Sequence, residues 1–322
     1  MDIKQLRYFQ KVADAGSVSR AAAALSVAQP AVSRQIANLE DSLGTALFFR
    51  NGRGVKLTDA GAQLYGHANA ILESIRQAER DVRDTVGVAR GTIVIGSTPS
   101  IVRLIAPPLL SAVEQRHPEL ALEFTEGLSG YVNEWLSNGL LDIAIIHDAT
   151  RTQHFLTEPL LREDLVFLSK KGGEGPITLA EVAEHDLILP RKAHGLRLHV
   201  ERAAAQMRLA LSVRAEVDSM NVIKHLVAQG PLATVVPRGA LDPSTRELAR
   251  TIVDPPMARL LLLATSSQRP VSQTTRLVIQ ELKLAVRNLT ETGQWPGARR
   301  PNEPPASQSA PPAKASSPPH VA

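Results

Sequence analysis

At 322 residues, with 43% hydrophobic but only 3% aromatic content, the chain exceeds one small core and suits two or three domains with aliphatic interiors. It has no cysteine, which excludes disulfides, a thiolate nucleophile and any zinc site built on cysteine. A net charge of +4 and a pI near 9.5 suit a polyanionic partner. The N-terminus lacks the apolar stretch of a signal peptide and no apolar run reaches membrane-spanning length, so a cytoplasmic location is expected.

Residues 1–58 carry eight basic against four acidic side chains, an excess equal to that of the whole chain. Their apolar spacing predicts three short helices. The first runs over 3–15 with Leu6, Phe9 and Val12 inward, and the second over 18–25 behind Ser17 as N-cap. The third runs over 29–43 with Val32, Ile36, Leu39 and Leu43 on one stripe, and its Pro30 sits in the first turn, where the missing N–H costs nothing. A short helix, a turn at 26–28 and a longer helix are the parts of a helix-turn-helix, whose last helix presents its N-terminal face to the major groove. That face carries Gln29, Pro30, Ser33, Arg34, Gln35 and Asn38 as candidate DNA contacts.

The following "LFFRNGRGVKLT" alternates apolar and polar residues around Asn51-Gly52, a hairpin signal, and places Arg50, Arg53 and Lys56 on it. A basic hairpin after a helix-turn-helix reads as a wing that holds the DNA backbone or minor groove. From Thr58 as N-cap, a helix of about 28 residues carries Leu64, Ala68, Ile71, Ile75, Ala78 and Val82 at coiled-coil spacing, which predicts a dimerisation helix.

The run "LRYFQKVADAGSVSRAAAALSVAQPAVSRQIANLEDSLGTALFFRNGRGVKLTDAG" resembles the N-terminal pattern of the LysR-type bacterial transcriptional regulators almost continuously. Within that family, "GTIVIGSTPS" and "EGLSGYVNEWLSNGLLDIAIIHD" look most like the nitrogen-assimilation-control subgroup. The resemblance implies a winged helix-turn-helix, a dimerising linker helix, a two-lobed effector domain like a periplasmic binding protein, and a tetramer on paired promoter sites. RNA polymerase is a further candidate partner.

Independently of that resemblance, residues 92–147 read as strand, helix, strand, helix, strand, the order of a parallel α/β sheet. A second set follows over 164–237, and "RLLLLATS" with a helix at 272–290 is expected to return to the first lobe, leaving a cleft between the two. Ligands in such sheets settle at the carboxyl ends of strands. The candidates there are Ser97, Thr98, Ser100, Ser129, Gly130 and His147 from the first lobe and His194, Ser219 and Asn221 from the second. Free N–H groups near Ser100 favour a small anion; the resemblance adds that Pro99 stands where many relatives carry a donor.

The expected organisation is a DNA-binding domain at 1–58, a linker helix at 59–88, an effector domain at 92–290 and a disordered Pro/Ala/Ser-rich tail at 293–322. No HExxH, GxSxG or P-loop pattern occurs, so no catalytic residue, metal or cofactor is expected. Two alternatives stay open: a regulator of the same architecture that needs no effector, and a small-molecule receptor whose N-terminus only dimerises.

Overall fold

The computed structural model describes residues 1–51, 54–84, 90–147, 154–192 and 194–303. The N-terminal unit opens with α1 (Ile3–Ala15), α2 (Val18–Ala24) and α3 (Gln29–Leu43). Asp2 caps α1 through a reciprocal box with Gln5, and Ser17 caps α2. Ser26 turns the chain in the left-handed region at φ 55° between α2 and α3. The strands β1 (Phe48–Asn51) and β2 (Gly54–Leu57) then form an antiparallel hairpin whose tip, with Arg53, lies outside the described residues. Leu6, Phe9, Val12, Val32, Ile36 and Leu39 are all buried in one cluster, but Leu43 stays 41% exposed because Gly44 ends the helix beyond the core.

Thr58 Oγ1 accepts the Gly61 N–H at 3.0 Å and caps α4 (Asp59–Asp84). The stripe read from sequence divides in two. Leu64 and Ala68 pack into the N-terminal core beside the buried Leu72, and Gln10 bonds the buried Asn69 at 2.6 Å. Ile71 and Ala78 remain exposed and Ile75 half-buried, while the Val82 side chain lies outside what is described. Only the later part of the stripe is therefore available to a partner.

The first lobe holds β3 (Gly91–Ser97), α5 (Pro99–Arg116), β4 (Leu120–Glu126), α6 (Ser129–Ser137) and β5 (Ile143–His147). The next strand, β6 (Phe155–Ser169), is 15 residues long and belongs to both lobes. The second lobe adds β7 (Ile177–Thr178), α7 (Leu179–Ala183), β8 (Asp186–Leu189), α8 (Gly195–Gln206), β9 (Ser212–Glu216), α9 (Met220–Gln229), β10 (Ala233–Pro237), α10 (Pro243–Arg246) and β11 (Ala249–Val253). The chain then returns through β12 (Ala258–Ser266) and α11 (Gln273–Glu291), whose Val278, Leu282 and Val286 join the first-lobe core.

The sheets are mixed rather than purely parallel. β3 pairs β4 and β5 in parallel, but β12 runs antiparallel to β5 and β6, and β6 antiparallel to β10. A returning strand must run against the strands it rejoins, which the βαβ pattern of the sequence does not reveal. The first part of β6, Phe155 to Asp164, pairs with β12, and Leu165 to Ser169 pairs with β10, so the strand passes between lobes at Asp164.

The tail begins later than the composition suggested. Trp295 is 1% exposed, and β13 (Ala298–Arg299) pairs with β6 at Arg162 and Glu163. Asp164 N–H bonds Gly297 O at 2.9 Å and Arg162 Nε bonds Pro301 O at 2.7 Å, which ties residues 293–303 to the crossing strand. One indole buries enough apolar surface to order an otherwise Pro- and Gly-rich segment. The rest of the tail read from sequence, 304–322, lies outside the described residues.

Candidate functional site

Two sites take shape. On α3, Gln29, Pro30, Arg34 and Asn38 are exposed and Ser33 and Gln35 half-buried, while Val32, Ile36 and Leu39 anchor the opposite face. Gln29 Nε2 bonds Ser33 Oγ at 3.2 Å, which orders the first turn. Ala28 at the N-cap makes no side-chain bond, so the backbone donors there are left for another acceptor. Lys56 is exposed on β2 and registers opposite Phe49, itself 62% exposed; Arg50 registers opposite Val55, and its side chain lies outside the described residues. Glu40 Oε1 accepts the N–H groups of Leu47 (2.8 Å) and Phe48 (3.3 Å), fixing the hairpin against α3. Nothing in the residue pattern signals that role, since Glu40 reads as one more surface charge.

Between the lobes lies a cavity of about 460 Å³. Of the residues read from sequence, Thr98, Ser100, His194, Ser219 and Asn221 line it. Thr98 and Ser100 start α5, their hydroxyls 3.4 Å apart, and Ser219 caps α9. Ser97, Ser129, Gly130 and His147 are not in its wall. Ser97 is fully buried with Oγ bonded to Ile145 O at 2.7 Å, and Ser129 Oγ lies 2.8 Å from His147 Nε2. These polar groups satisfy each other beneath the cleft, as buried polar groups must. His147 is also an interlobe contact: a Cβ on Gly195 at the start of α8 would sit 2.3 Å from its ring.

Lining residues that the sequence reading missed include Arg103, Tyr131, Trp135, Met220 and Arg259, and two carboxylates, Glu126 and Asp218, the latter paired with Arg191. Tyr131 and Trp135, four apart on α6, stack at 6.1 Å between centroids. Arg103 Nη2 reaches Gly239 O at 2.6 Å. Arg259 is 4% exposed and pairs with Glu163, whose carboxylate is equally buried. Burial, reinforced by the charge of Arg259, lowers the His147 pKa well below its usual range and that of His194 to about 4. His194 Nδ1 accepts the Leu196 N–H at 3.1 Å, so the proton of the neutral ring is on Nε2. A larger hollow of about 860 Å³ lies outside the first lobe between β6, α11 and the C-terminal arm. Among its rim charges, Lys283 pairs with Glu158 and Arg300 with Glu291.

A winged helix-turn-helix joined by a long helix to a two-lobed α/β domain defines a DNA-binding regulator with a substrate-binding module. The chain belongs to the LysR family. Residues 3–62 match the bacterial regulatory helix-turn-helix protein, lysR family, and residues 87–287 match the LysR substrate binding domain. The nitrogen assimilation regulatory protein nac of Klebsiella aerogenes is 35% identical over 242 residues, covering 74% of this chain and 79% of that one. The HTH-type transcriptional regulator BbuR of Bordetella bronchiseptica is 30% identical over 304 residues, covering 92% and 94%. Full-length OxyR from Pseudomonas aeruginosa superposes with a TM-score of 0.67 at 25% identity, covering 89% of this chain and 95% of that one. CbnR in complex with its target DNA superposes at 0.65 and 22% identity, covering 89% and 99%. The protein is a LysR-type DNA-binding transcriptional regulator with a substrate-binding effector domain. No described helix is long and apolar enough to cross a membrane.

Proposed function

We propose that this regulator reads paired promoter half-sites with α3, grips the backbone through its wing, and is controlled by a small anionic effector between the lobes. The observation that carries the effector reading is the interlobe cavity, where Thr98 and Ser100 at the start of α5 face His194, Ser219 and Asn221 across about 460 Å³. Gln29, Ser33, Arg34 and Asn38 supply base-edge donors and acceptors, and Arg50, Arg53 and Lys56 supply backbone charge. Dimerisation through the later half of α4 spaces two recognition helices, and two such dimers form a tetramer in the cytoplasm, within reach of RNA polymerase. Ligand closure of the lobes then re-angles the dimers and alters the bend of the bound DNA.

Pro99 at the first turn of α5 lacks an N–H, which favours the second reading, a regulator that needs no effector. Mapping bound DNA across a genome and screening the full-length protein against metabolites encoded near the bound sites separates the two. A metabolite that raises the melting temperature and changes the DNA-bound complex supports effector control. No response from any metabolite of the adjoining genes supports the second reading.

A further inference from the structure

The cleft contains a buried cation whose outer edge is free of hydrogen bonds. Arg259 Nε donates to Glu163 Oε2 at 2.8 Å, and Nη2 lies 2.7 Å from the same oxygen without the angle of a hydrogen bond. The other carboxylate oxygen, Oε1, accepts the indole N–H of Trp295 at 3.0 Å. Glu163 is thus used up on one flank of the guanidinium, and the Nη1–Nη2 end has no hydrogen-bond partner among the described residues. A buried guanidinium has five donors to satisfy, and an end-on fork matches a carboxylate. Arg259 lines the cavity, together with the Nε2–H of His194 and the stacked Tyr131 and Trp135.

We infer that Arg259 is the anchor for the carboxylate of the cleft ligand, and that Glu163 and Trp295 are its positioning residues. This rests on the effector reading given above. Gly239 makes the arrangement possible, because a Cβ there would lie 2.5 Å from Glu163 Oε1 and 2.8 Å from Trp295 Nε1. Trp295 comes from the C-terminal arm and Glu163 from β6 one residue before it changes lobes, so the same carboxylate ties the ligand anchor to the hinge and to the arm. The aromatic pair on α6 suits a planar ring beside the carboxylate, with Met220 as an adaptable apolar wall.

Benzoate and benzamide are suitable probes, equal in shape and differing in charge. Calorimetry with the full-length protein is expected to give at least about tenfold tighter binding of benzoate, with a change in Trp135 emission that places the ring in the cleft. Arg259→Gln leaves Glu163 buried without its cation, so the double variant Arg259→Gln with Glu163→Gln is measured beside it; both are expected to bind the two probes alike. Trp295→Phe keeps the packing and removes the N–H. It is expected to weaken benzoate severalfold and leave benzamide unchanged, a selectivity change that a purely structural loss does not produce. If benzoate binds and responds in the cleft but the folded double variant keeps the preference, the anchor assignment is overturned. If neither probe binds the wild type, the effector reading fails and the anchor with it.

Discussion

Trp295 Nε1 donates to Glu163 Oε1 across 3.0 Å, joining the C-terminal arm to the strand that both lobes share. Both residues are 1% exposed, so the bond is made away from water and neither partner has a substitute. Trp295→Ala removes the indole from this packing and leaves Glu163 short of a donor. The expected loss is about 3–5 kcal/mol. That lowers the effector-domain melting temperature by about 10 °C for a unit of some 200 residues. Calorimetric melting of full-length wild type and variant checks it, and an unchanged melting temperature would mean that the arm does not contribute to the fold.

The two halves of the α4 stripe carry opposite expectations. Leu72 is buried in the N-terminal core, so Leu72→Ala is expected to destabilise that unit by about 2–5 kcal/mol with little change of assembly. Ile71 is 38% exposed one residue earlier, and Ile71→Glu places a charge on the face left for a partner helix. Sedimentation is expected to show smaller species for Ile71→Glu alone. Equal assembly in both variants would remove α4 from the dimer interface.

Much of this was legible in the sequence where periodicity or capping carries the signal. Ser17 and Thr58 sit where small hydroxyls cap the helices they precede, and Val32, Ile36 and Leu39 declare the buried face of α3. The second-lobe strands at 186–189 and 233–237 are short apolar runs between turn residues. What escaped was set by long-range pairing. Glu163 and Arg259 lie 96 positions apart, and each alone reads as a charge flanking an apolar strand. Only the antiparallel return of β12 beside β6, in which Arg259 registers with Glu163, makes them one pair. Ser97, Ser129 and His147 fit a strand-end rule that speaks of loops. The side chains turn down into the sheet layer, and the rule has no knowledge of that.

At the DNA face, Arg34 and Lys56 are expected to behave differently. Arg34 is exposed on α3 among groups able to meet base edges, whereas Lys56 lies on the wing strand. Arg34→Ala is expected to cost about 1–3 kcal/mol on the operator and less on random DNA. Lys56→Ala should weaken both alike and reduce the salt dependence by about one charge. Titrations of the two DNAs at several salt concentrations decide it. An unchanged operator-to-random ratio in Arg34→Ala would end the base-reading assignment.

Acid should weaken the effector domain through its buried imidazoles. In the unfolded chain a histidine titrates near 6.5. In the fold, burial and then Arg259 lower His194 to about 4, and His147 moves in the same direction for the same reasons. Between these pH values the unfolded chain binds a proton that the native state refuses, so stability rises with pH across the window. The contribution is fully present above about pH 6.5 and is lost as the pH falls toward 4. For His194 alone the loss between pH 7.5 and pH 5 is about 2 kcal/mol. Asparagine can cap α8 as the His194 ring does, without titrating, so His194→Asn is the variant that isolates the effect. Urea unfolding of both proteins at the two pH values is expected to show a shallower acid slope for the variant. Identical slopes would mean that His194 is already solvated, and protonated, in the native protein near pH 6.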